Sequence, residues 1–181
     1  GTYVLNFVAA GVVKVFDLDG EGDGLLLFMG EGRSSRLLAS GDIAGNDFRI
    51  FEVREACKYV GFKNLCFDGS GLTNPTEQDH AVQFSNTVAD TETSRCFVID
   101  CYFNFIRGDQ IRILGNGTPR ARNVLVKRCV FDGYKNGGGL DARSGVSIQR
   151  ASDDIIVDAN YFDTSSAIDF FSSSSRSMRS M

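Results

Sequence analysis

Tryptophan is absent from this chain, proline occurs only twice and histidine only once among 181 residues. A single histidine excludes any centre built from several imidazoles. The five cysteines, Cys57, Cys66, Cys96, Cys101 and Cys129, are odd in number and none stands in a CxxC pair. That spacing excludes a complete internal disulfide framework and the usual zinc or redox dithiol motifs. Free thiols packed as small hydrophobes are expected, in a chain synthesised in a reducing cytoplasm. Charge of one sign is also missing: 19 Lys and Arg oppose 23 Asp and Glu, a net of −4 with no like-charge block. Nothing there neutralises a run of phosphates, so nucleic acid and anionic membrane surfaces are not the expected partners. No apolar run approaches the length of a membrane span. No charged and then apolar leader opens the chain; Gly1-Thr2-Tyr3-Val4-Leu5 already reads as a strand, and the sequence is expected to be a piece of a longer polypeptide. P-loop, dinucleotide and nucleophile-elbow motifs are lacking as well.

Glycine (20 residues) and phenylalanine (15) are what the chain has in quantity, within a composition that is 43% hydrophobic. Helical periodicity is nearly absent. The one candidate, Phe51 to Val60, fits two short strands as well as one helix. Elsewhere apolar alternation is punctuated by Gly, Asn, Asp and Ser, the pattern of an all-β chain. Two interleaved series repeat. In the first, Phe67, Phe103, Phe131 and Phe162 align; Leu65, Cys101, Cys129 and Asn160 stand two positions earlier, Phe62, Val98, Val126 and Val157 five earlier, and Asp or Asn one later. The second follows each of these as Ala81-Val82-Gln83-Phe84, Gln110-Ile111-Arg112-Ile113, Gly145-Val146-Ser147-Ile148 and Ala167-Ile168-Asp169-Phe170. Successive equivalents from Val82 to Ile168 are 29, 35 and 22 residues apart. A fixed pattern with insertions of variable length is the mark of a solenoid, in which like stacks on like and extra residues leave at turns. A β-sandwich with accidental likeness between strands is the competing architecture. In the solenoid, Gln83, Arg112, Ser147 and Asp169 form an outward row, and the Cys/Asn position forms an inward corner.

These repeats, together with Gly30-Glu31-Gly32-Arg33-Ser34-Ser35-Arg36-Leu37-Leu38 and the Arg143-Ser144-Gly145-Val146-Ser147 strand ahead of Asn160-Tyr161-Phe162, resemble the right-handed parallel β-helices of the pectate lyase superfamily. Within it the chain is most similar to polysaccharide-degrading bacteriophage tailspikes and their bacterial relatives. The likeness runs from about Gly1 to Phe171, a likeness of coil pattern and not of an active-site signature. It implies single-stranded β-helix coils over residues 1–171 with a Ser-rich end at 172–181, a bacterial surface or extracellular polysaccharide as partner, a homotrimer, and a place on a virion tail or outside the cell. It also implies an N-terminal cap on the solenoid, which this sequence lacks; a parent chain or another subunit is expected to cover that end.

Cleaving a glycosidic bond requires two carboxyls on one face. Asp79, Asp109 and Asp169 are the candidate catalytic residues, with Asp79 and Asp109 expected on neighbouring coils about 5 Å apart. His80, Gln83, Arg112 and Arg143 are the candidate substrate-binding residues; the arginines suit an acidic sugar or the tuning of a neighbouring acid. Glu77 and Asp141 lie beside the same row. Acids at strand starts also make ordinary turn hydrogen bonds, and a lone histidine is commonly a strand-edge residue. Asp17-Leu18-Asp19-Gly20-Glu21-Gly22-Asp23-Gly24 offers alternating oxygens to calcium but no closing bidentate Glu, so it reads equally as a turn. No other cofactor or metal is expected. Arg107-Gly108-Asp109 spells an adhesion tripeptide that leads straight into a strand, and Asn116-Gly117-Thr118 is a glycosylation acceptor only in a eukaryotic secretory pathway. Tyr102, Tyr134 and Tyr161 are candidate sugar platforms. Two functions stay open: a hydrolase or β-eliminating lyase, or a non-catalytic β-helix for glycan adhesion or spacing.

Overall fold

The computed structural model describes residues 1–6, 13–20, 24–43, 47–73, 75–76, 78–86, 88, 91–115, 120–132, 143–150, 152–163 and 168–171. Its strands run in chain order as β1 (Thr2–Asn6), β2 (Val13–Asp19), β3 (Leu26–Met29), β4 (Arg36–Asp42), β5 (Phe48–Arg54), β6 (Val60–Lys63), β7 (Cys66–Thr73), β8 (Asp79–Ser85) and β9 (Glu92–Ile99). They continue with β10 (Tyr102–Asn104), β11 (Asp109–Leu114), β12 (Arg120–Lys127), β13 (Val130–Asp132), β14 (Ser144–Gln149), β15 (Ser152–Asp158), β16 (Tyr161–Asp163) and β17 (Ile168–Phe171). Every third strand pairs, always in parallel. The first sheet is ordered β1-β4-β7-β10-β13-β16, the second β2-β5-β8-β11-β14-β17 and the third β3-β6-β9-β12-β15. Each successive triplet is therefore one coil of a parallel β-solenoid, and the chain is all-β. The ambiguous stretch at 51–60 resolves into the end of β5, a turn and the start of β6. Among the described residues no helix is long and apolar enough to cross a membrane.

Both repeat series are the ladders of this solenoid. Phe67 pairs with Phe103 and Phe103 with Phe131, which pairs in turn with Phe162. The rings stack face to face at 4.9, 4.9 and 4.8 Å. Val82, Ile111, Val146 and Ile168 form the matching column of the second sheet. The same column extends upward through Phe51 and Phe16, whose rings stack at 4.5 Å.

The approach to each phenylalanine, one run in the sequence, is two strands on different sheets. Phe62, Val98, Val126 and Val157 belong to the third sheet. The chain turns the corner into the first sheet at Asn64, Asp100, Arg128 and Ala159, each left-handed with φ of 54°, 56°, 50° and 54°. A second left-handed column, Tyr59, Arg95, Asn123 and Asp154, bends the chain just ahead of β6 and inside β9, β12 and β15 of the third sheet. Such φ values cost a side-chain-bearing residue free energy, so the corners are held by packing and not by local preference.

The inward corner holds small groups. Cys101 and Cys129 are buried, and their thiols donate to backbone carbonyls, Cys101 to Ile99 and Cys129 to Lys127, both at 3.4 Å. The Asn160 side chain accepts from the Cys129 amide at 2.8 Å and donates to the Val126 carbonyl at 3.0 Å. All five thiols are free and buried, and burial pushes Cys66 up to about 11 and Cys96 up to about 12. They pack as inert small hydrophobes.

A buried polar face on the second sheet

Alternation along β5, β8, β11 and β14 sends Phe51, Val82, Ile111 and Val146 into the core and Glu52, Gln83, Arg112 and Ser147 to the opposite face, in one register. Asp17 precedes this row and the backbone of Asp169 follows it, paired with Ser147. Such a row would ordinarily be wet. Here Gln83 is 3% exposed and Ser147 not at all, because the polar groups cover one another. Gln83 accepts from Arg49 Nε at 3.0 Å and donates to Glu52 at 2.9 Å, while Ser85 donates to the same Glu52 oxygen at 3.1 Å. Lys14 Nζ closes that end at 2.6 Å from the other Glu52 oxygen.

Arg112 is the hub of the neighbouring cluster. One terminal nitrogen donates to Gln78 at 3.3 Å and to His80 Nε2 at 3.1 Å; the other donates to Gln149 at 3.0 Å. Every one of these partners is neutral, and Arg112 Nε is buried with no acceptor. Burial lowers the affinity of this guanidinium for its proton, and the neighbouring Arg49 and Arg143 add to that effect against the pull of Asp109. Because Arg112 donates to Nε2, the imidazole of His80 must carry its proton on Nδ1, which lies 2.9 Å from the Asp109 carbonyl and donates to it. Burial first and Arg112 second hold this fully buried histidine well below the ordinary histidine range. His80 is thus a neutral imidazole with both nitrogens engaged.

Asp109 sits beneath this hub, with no exposed surface. Its Oδ1 accepts from Ser144 at 2.6 Å and lies 3.6 Å from Arg143 Nε. Its Oδ2 is buried and accepts no hydrogen bond. Burial raises its pKa, opposed by Ser144, Arg143, Arg112 and Ser147. A carboxyl group that is buried, half-satisfied and raised above its ordinary range is suited to holding and giving up a proton.

Asp79 does something else. The register that pairs Ile111 with Val82 brings Asp109 level with His80 and not with Asp79. Both Asp79 oxygens turn back into the preceding turn, accepting from the Thr76 amide at 2.6 Å and the Thr76 hydroxyl at 3.3 Å. Burial nevertheless raises it to about 7, opposed by the Thr76 hydrogen bonds and Arg107. Of the predicted residues, the structure brings together His80, Gln83, Arg112, Arg143 and Asp109; Asp79 stands beside them as a turn residue. The backbone of Asp169 lies two strands and three register positions from Asp109.

Arg49, Glu52, Ser144 and Gln149 belong to the cluster and had not been singled out. Phe51-Glu52-Val53-Arg54 repeats the form of Val82-Gln83-Phe84-Ser85, so carrying the second series one coil earlier would have found Glu52. Asp17 and Asp19 of the candidate calcium turn are held by Arg54 at 2.8 and 2.7 Å, and Arg54 keeps the Asp17 carboxyl below its ordinary range. Among the described residues no three His, Cys, Asp or Glu side chains gather as a metal site. Glu21, Gly22, Asp23, Glu77, Asn116-Gly117-Thr118, Tyr134, Asp141 and the 172–181 end lie outside the described residues. Tyr102 donates to Asp132 at 2.5 Å with the Arg33 guanidinium over its ring, and Tyr161 is exposed. No family model, no curated protein and no solved structure matches this chain.

Proposed function

We propose that the outer face of β8, β11 and β14 binds a bacterial surface or extracellular polysaccharide and cleaves it, with Asp109 as the acid that protonates the leaving glycosidic oxygen while water adds its oxygen to the anomeric carbon and the proton the water sheds restores the acid. The observation that supports this reading is the Asp109 carboxyl itself: buried, raised, with one oxygen unsatisfied, under two arginines and beside a neutral histidine. Burial that raises a carboxyl is how glycosidases keep one of their two acids protonated near neutrality. Arg143, with its Nε 3.6 Å from Asp109 Oδ1 and its side chain partly exposed, is the cation nearest to where a sugar would meet the acid. Arg112, whose Nε has no acceptor, then offers that donor to a substrate oxygen or carboxylate. His80 holds the Asp109 backbone through its Nδ1 proton and keeps Arg112 oriented through Nε2. A repeated flat face of stacked coils suits a long polymer, and a virion or cell surface is where such a module meets one.

A second reading has its own observation. Asp79 hydrogen-bonds within its own turn and stands out of register with Asp109, so the described side chains supply one poised carboxyl and not a pair. That favours a non-catalytic module that adheres to glycan or spaces other parts of a surface assembly. The test is release of reducing ends, with ultraviolet absorbance of unsaturated uronates followed in parallel, on a panel of neutral and acidic bacterial polysaccharides. Reducing ends without absorbance, abolished by Asp109→Asn, fit hydrolysis. Absorbance identifies elimination and removes Asp109 from the role of leaving-group acid in a hydrolase. Binding that survives with no new ends under any condition selects the adhesive reading, and no binding of any glycan on the panel refutes both cleavage and adhesion and leaves the spacer.

A further inference from the structure

Arg49 and Arg112 flank β8 from the strands on either side of it, β5 and β11. Both reach onto that strand: Arg49 Nε donates to Gln83 at 3.0 Å, and a terminal nitrogen of Arg112 lies 3.1 Å from His80 Nε2. Each guanidinium keeps an unused donor. Arg49 is 7% exposed and its Nη1 has no acceptor, as Arg112 Nε has none. The hydrogen bonds both arginines do make go to neutral groups, Gln83, Gln78, His80 and Gln149. The carboxylates within the cluster are engaged elsewhere. Glu52 takes Gln83, Ser85 and Lys14, while Asp109 takes Ser144 and faces Arg143. A buried guanidinium short of a counter-charge costs free energy. One further carboxylate does approach: Asp47 Oδ2 stands 3.6 Å from Arg49 Nη2, on a side chain that is 39% exposed. Its charge also favours the protonated state of Arg112. Asp47 thus shows the side from which an anion is drawn to both guanidinium groups, and at that distance it satisfies neither.

We propose that Arg49 and Arg112 form a subsite for one oxyanion carried by the polymer, a carboxylate or a sulfate or phosphate ester, so that the polysaccharide bound here is an acidic one. The polymer as carrier rests on the polysaccharide reading above; the subsite itself rests on the two arginines. An oxyanion presents several acceptor oxygens on a single charge, so it takes a donor from each guanidinium and supplies the missing counter-charge. A neutral sugar hydroxyl accepts from one of them and leaves the charge uncompensated. Entry of the anion exchanges the longest contacts, Arg112 to Gln78 at 3.3 Å and Arg49 to Asp47 at 3.6 Å, both made by partly exposed side chains. The bonds to Gln83 and Gln149, each 3.0 Å, hold the two arginines in place meanwhile. Asp47 is then a competitor for the position the ligand takes, and removing its charge strengthens binding.

The experiment is calorimetric titration of the full chain with sodium glucuronate, inorganic phosphate and glucose at constant ionic strength. Each panel polysaccharide that binds is then titrated before and after its carboxylates are reduced to alcohols or its phosphate and sulfate esters removed. The variants are Asp47→Asn, Arg49→Gln and Asp154→Asn. The last makes the same change of net charge as Asp47→Asn, on the third sheet, where the Asp154 side chain is 56% exposed. The expected result is that both anions bind and glucose does not. Asp47→Asn tightens anion binding about 3-fold, Arg49→Gln weakens it at least about 10-fold, and Asp154→Asn leaves it unchanged. Tighter binding of glucuronate assigns the group as a carboxylate, and tighter binding of phosphate assigns it as an ester. Far-ultraviolet circular dichroism verifies that Arg49→Gln keeps its strands, and Asp47→Asn carries the test if it does not. No binding of either anion, no tightening by Asp47→Asn, or equal tightening by Asp154→Asn overturns the proposal. A polymer that binds equally with and without its anionic groups also overturns it, and leaves the polysaccharide reading standing. Anion binding with the expected variant effects but no polymer bound upholds the subsite, assigns it to a free oxyanion and refutes the polysaccharide reading.

Discussion

Replacing Asp79 by Asn should stabilise the protein at alkaline pH and leave it unchanged in acid. Asp79 has no exposed surface, and burial raises its carboxyl from an ordinary 3.8 to about 7. Below about pH 4 the group is protonated in both folded and unfolded chains and costs nothing. Between about pH 4 and about pH 7 the unfolded chain gives up the proton and the folded one keeps it, so stability falls as pH rises; above about pH 7 the loss is constant. At 1.36 kcal/mol per pH unit, a shift of about three units amounts to about 4 kcal/mol as a ceiling, of which about 2 to 3 falls between pH 5 and pH 8. Asn keeps the geometry, because its carbonyl accepts from the Thr76 amide as Oδ2 does and its amide can donate to the Thr76 hydroxyl oxygen. The assay is the urea midpoint of native protein and Asp79→Asn at several pH values across that window. The variant should gain progressively on the native protein as pH rises. Asp109 is raised in the same direction and contributes a slope common to both proteins, which the difference removes. Equal midpoints at every pH, or a variant that is weaker at alkaline pH, would refute the reasoning that desolvation outweighs the Thr76 hydrogen bonds at this turn.

The stacked rings make a second prediction: Phe103→Ala, in the middle of the Phe67–Phe103–Phe131–Phe162 column and wholly buried, should cost about 3 to 5 kcal/mol in denaturant unfolding. A loss below about 1 kcal/mol would show that neighbouring coils collapse into the gap. Gly61→Ala puts a methyl 2.2 Å from the Phe97 ring and should cost about 1 to 3 kcal/mol. Adding Phe97→Leu should recover most of that, and a double variant as weak as the single would place the clash elsewhere. At the left-handed corner, Ala159→Gly should raise the melting temperature through a gain of up to about 1 kcal/mol, while Ala159→Val should lower it. A Gly variant that melts earlier would mean the corner is not strained.

The ladders were legible in the sequence because a solenoid writes its contacts as a repeat. Residues that stack in space, such as Phe103 on Phe131 or Ile111 on Val146, occupy equivalent positions in the chain, so aligning the copies is the same act as pairing the strands. The corners were not legible. Asn64, Asp100, Arg128 and Ala159 share a backbone conformation but no single side-chain chemistry, and only Asn and Asp among them favour it on their own. With nothing in common to mark them, the two strands on either side read as one. The first two coils escaped for a related reason: Phe16 and Phe51 occupy a column that Val and Ile occupy lower down, so the pattern there is one of alternation and not of identity.

Of the predicted row, the alternation of Gln83, Arg112 and Ser147 was legible in the sequence, and their environment was not. Alternation predicts that Gln83, Arg112 and Ser147 leave the core, but it says nothing of whether water meets them there. Burial came from partners that the row itself does not contain: Arg49 reaching Gln83, Gln149 reaching both Arg112 and Ser147, and Ser144 reaching Asp109. Distances between acids were also beyond the repeat, since a one-residue offset decides which of Asp79 and His80 stands level with Asp109. That offset has a chemical consequence. Among the described residues Asp109 has an imidazole and not a carboxylate level with it, and its raised pKa comes from burial, opposed by the Ser144 hydrogen bond and by Arg143 and Arg112. The acid should therefore titrate as a single group. Removing Arg143 by Arg143→Ala should raise its pKa further, since the cation that favours its charge is gone, and move the acidic carboxyl signal in a proton-detected titration to higher pH. A downward move would mean that Arg143 acts on Asp109 chiefly by excluding water, and that the poise of the acid is set by solvent access and not by charge.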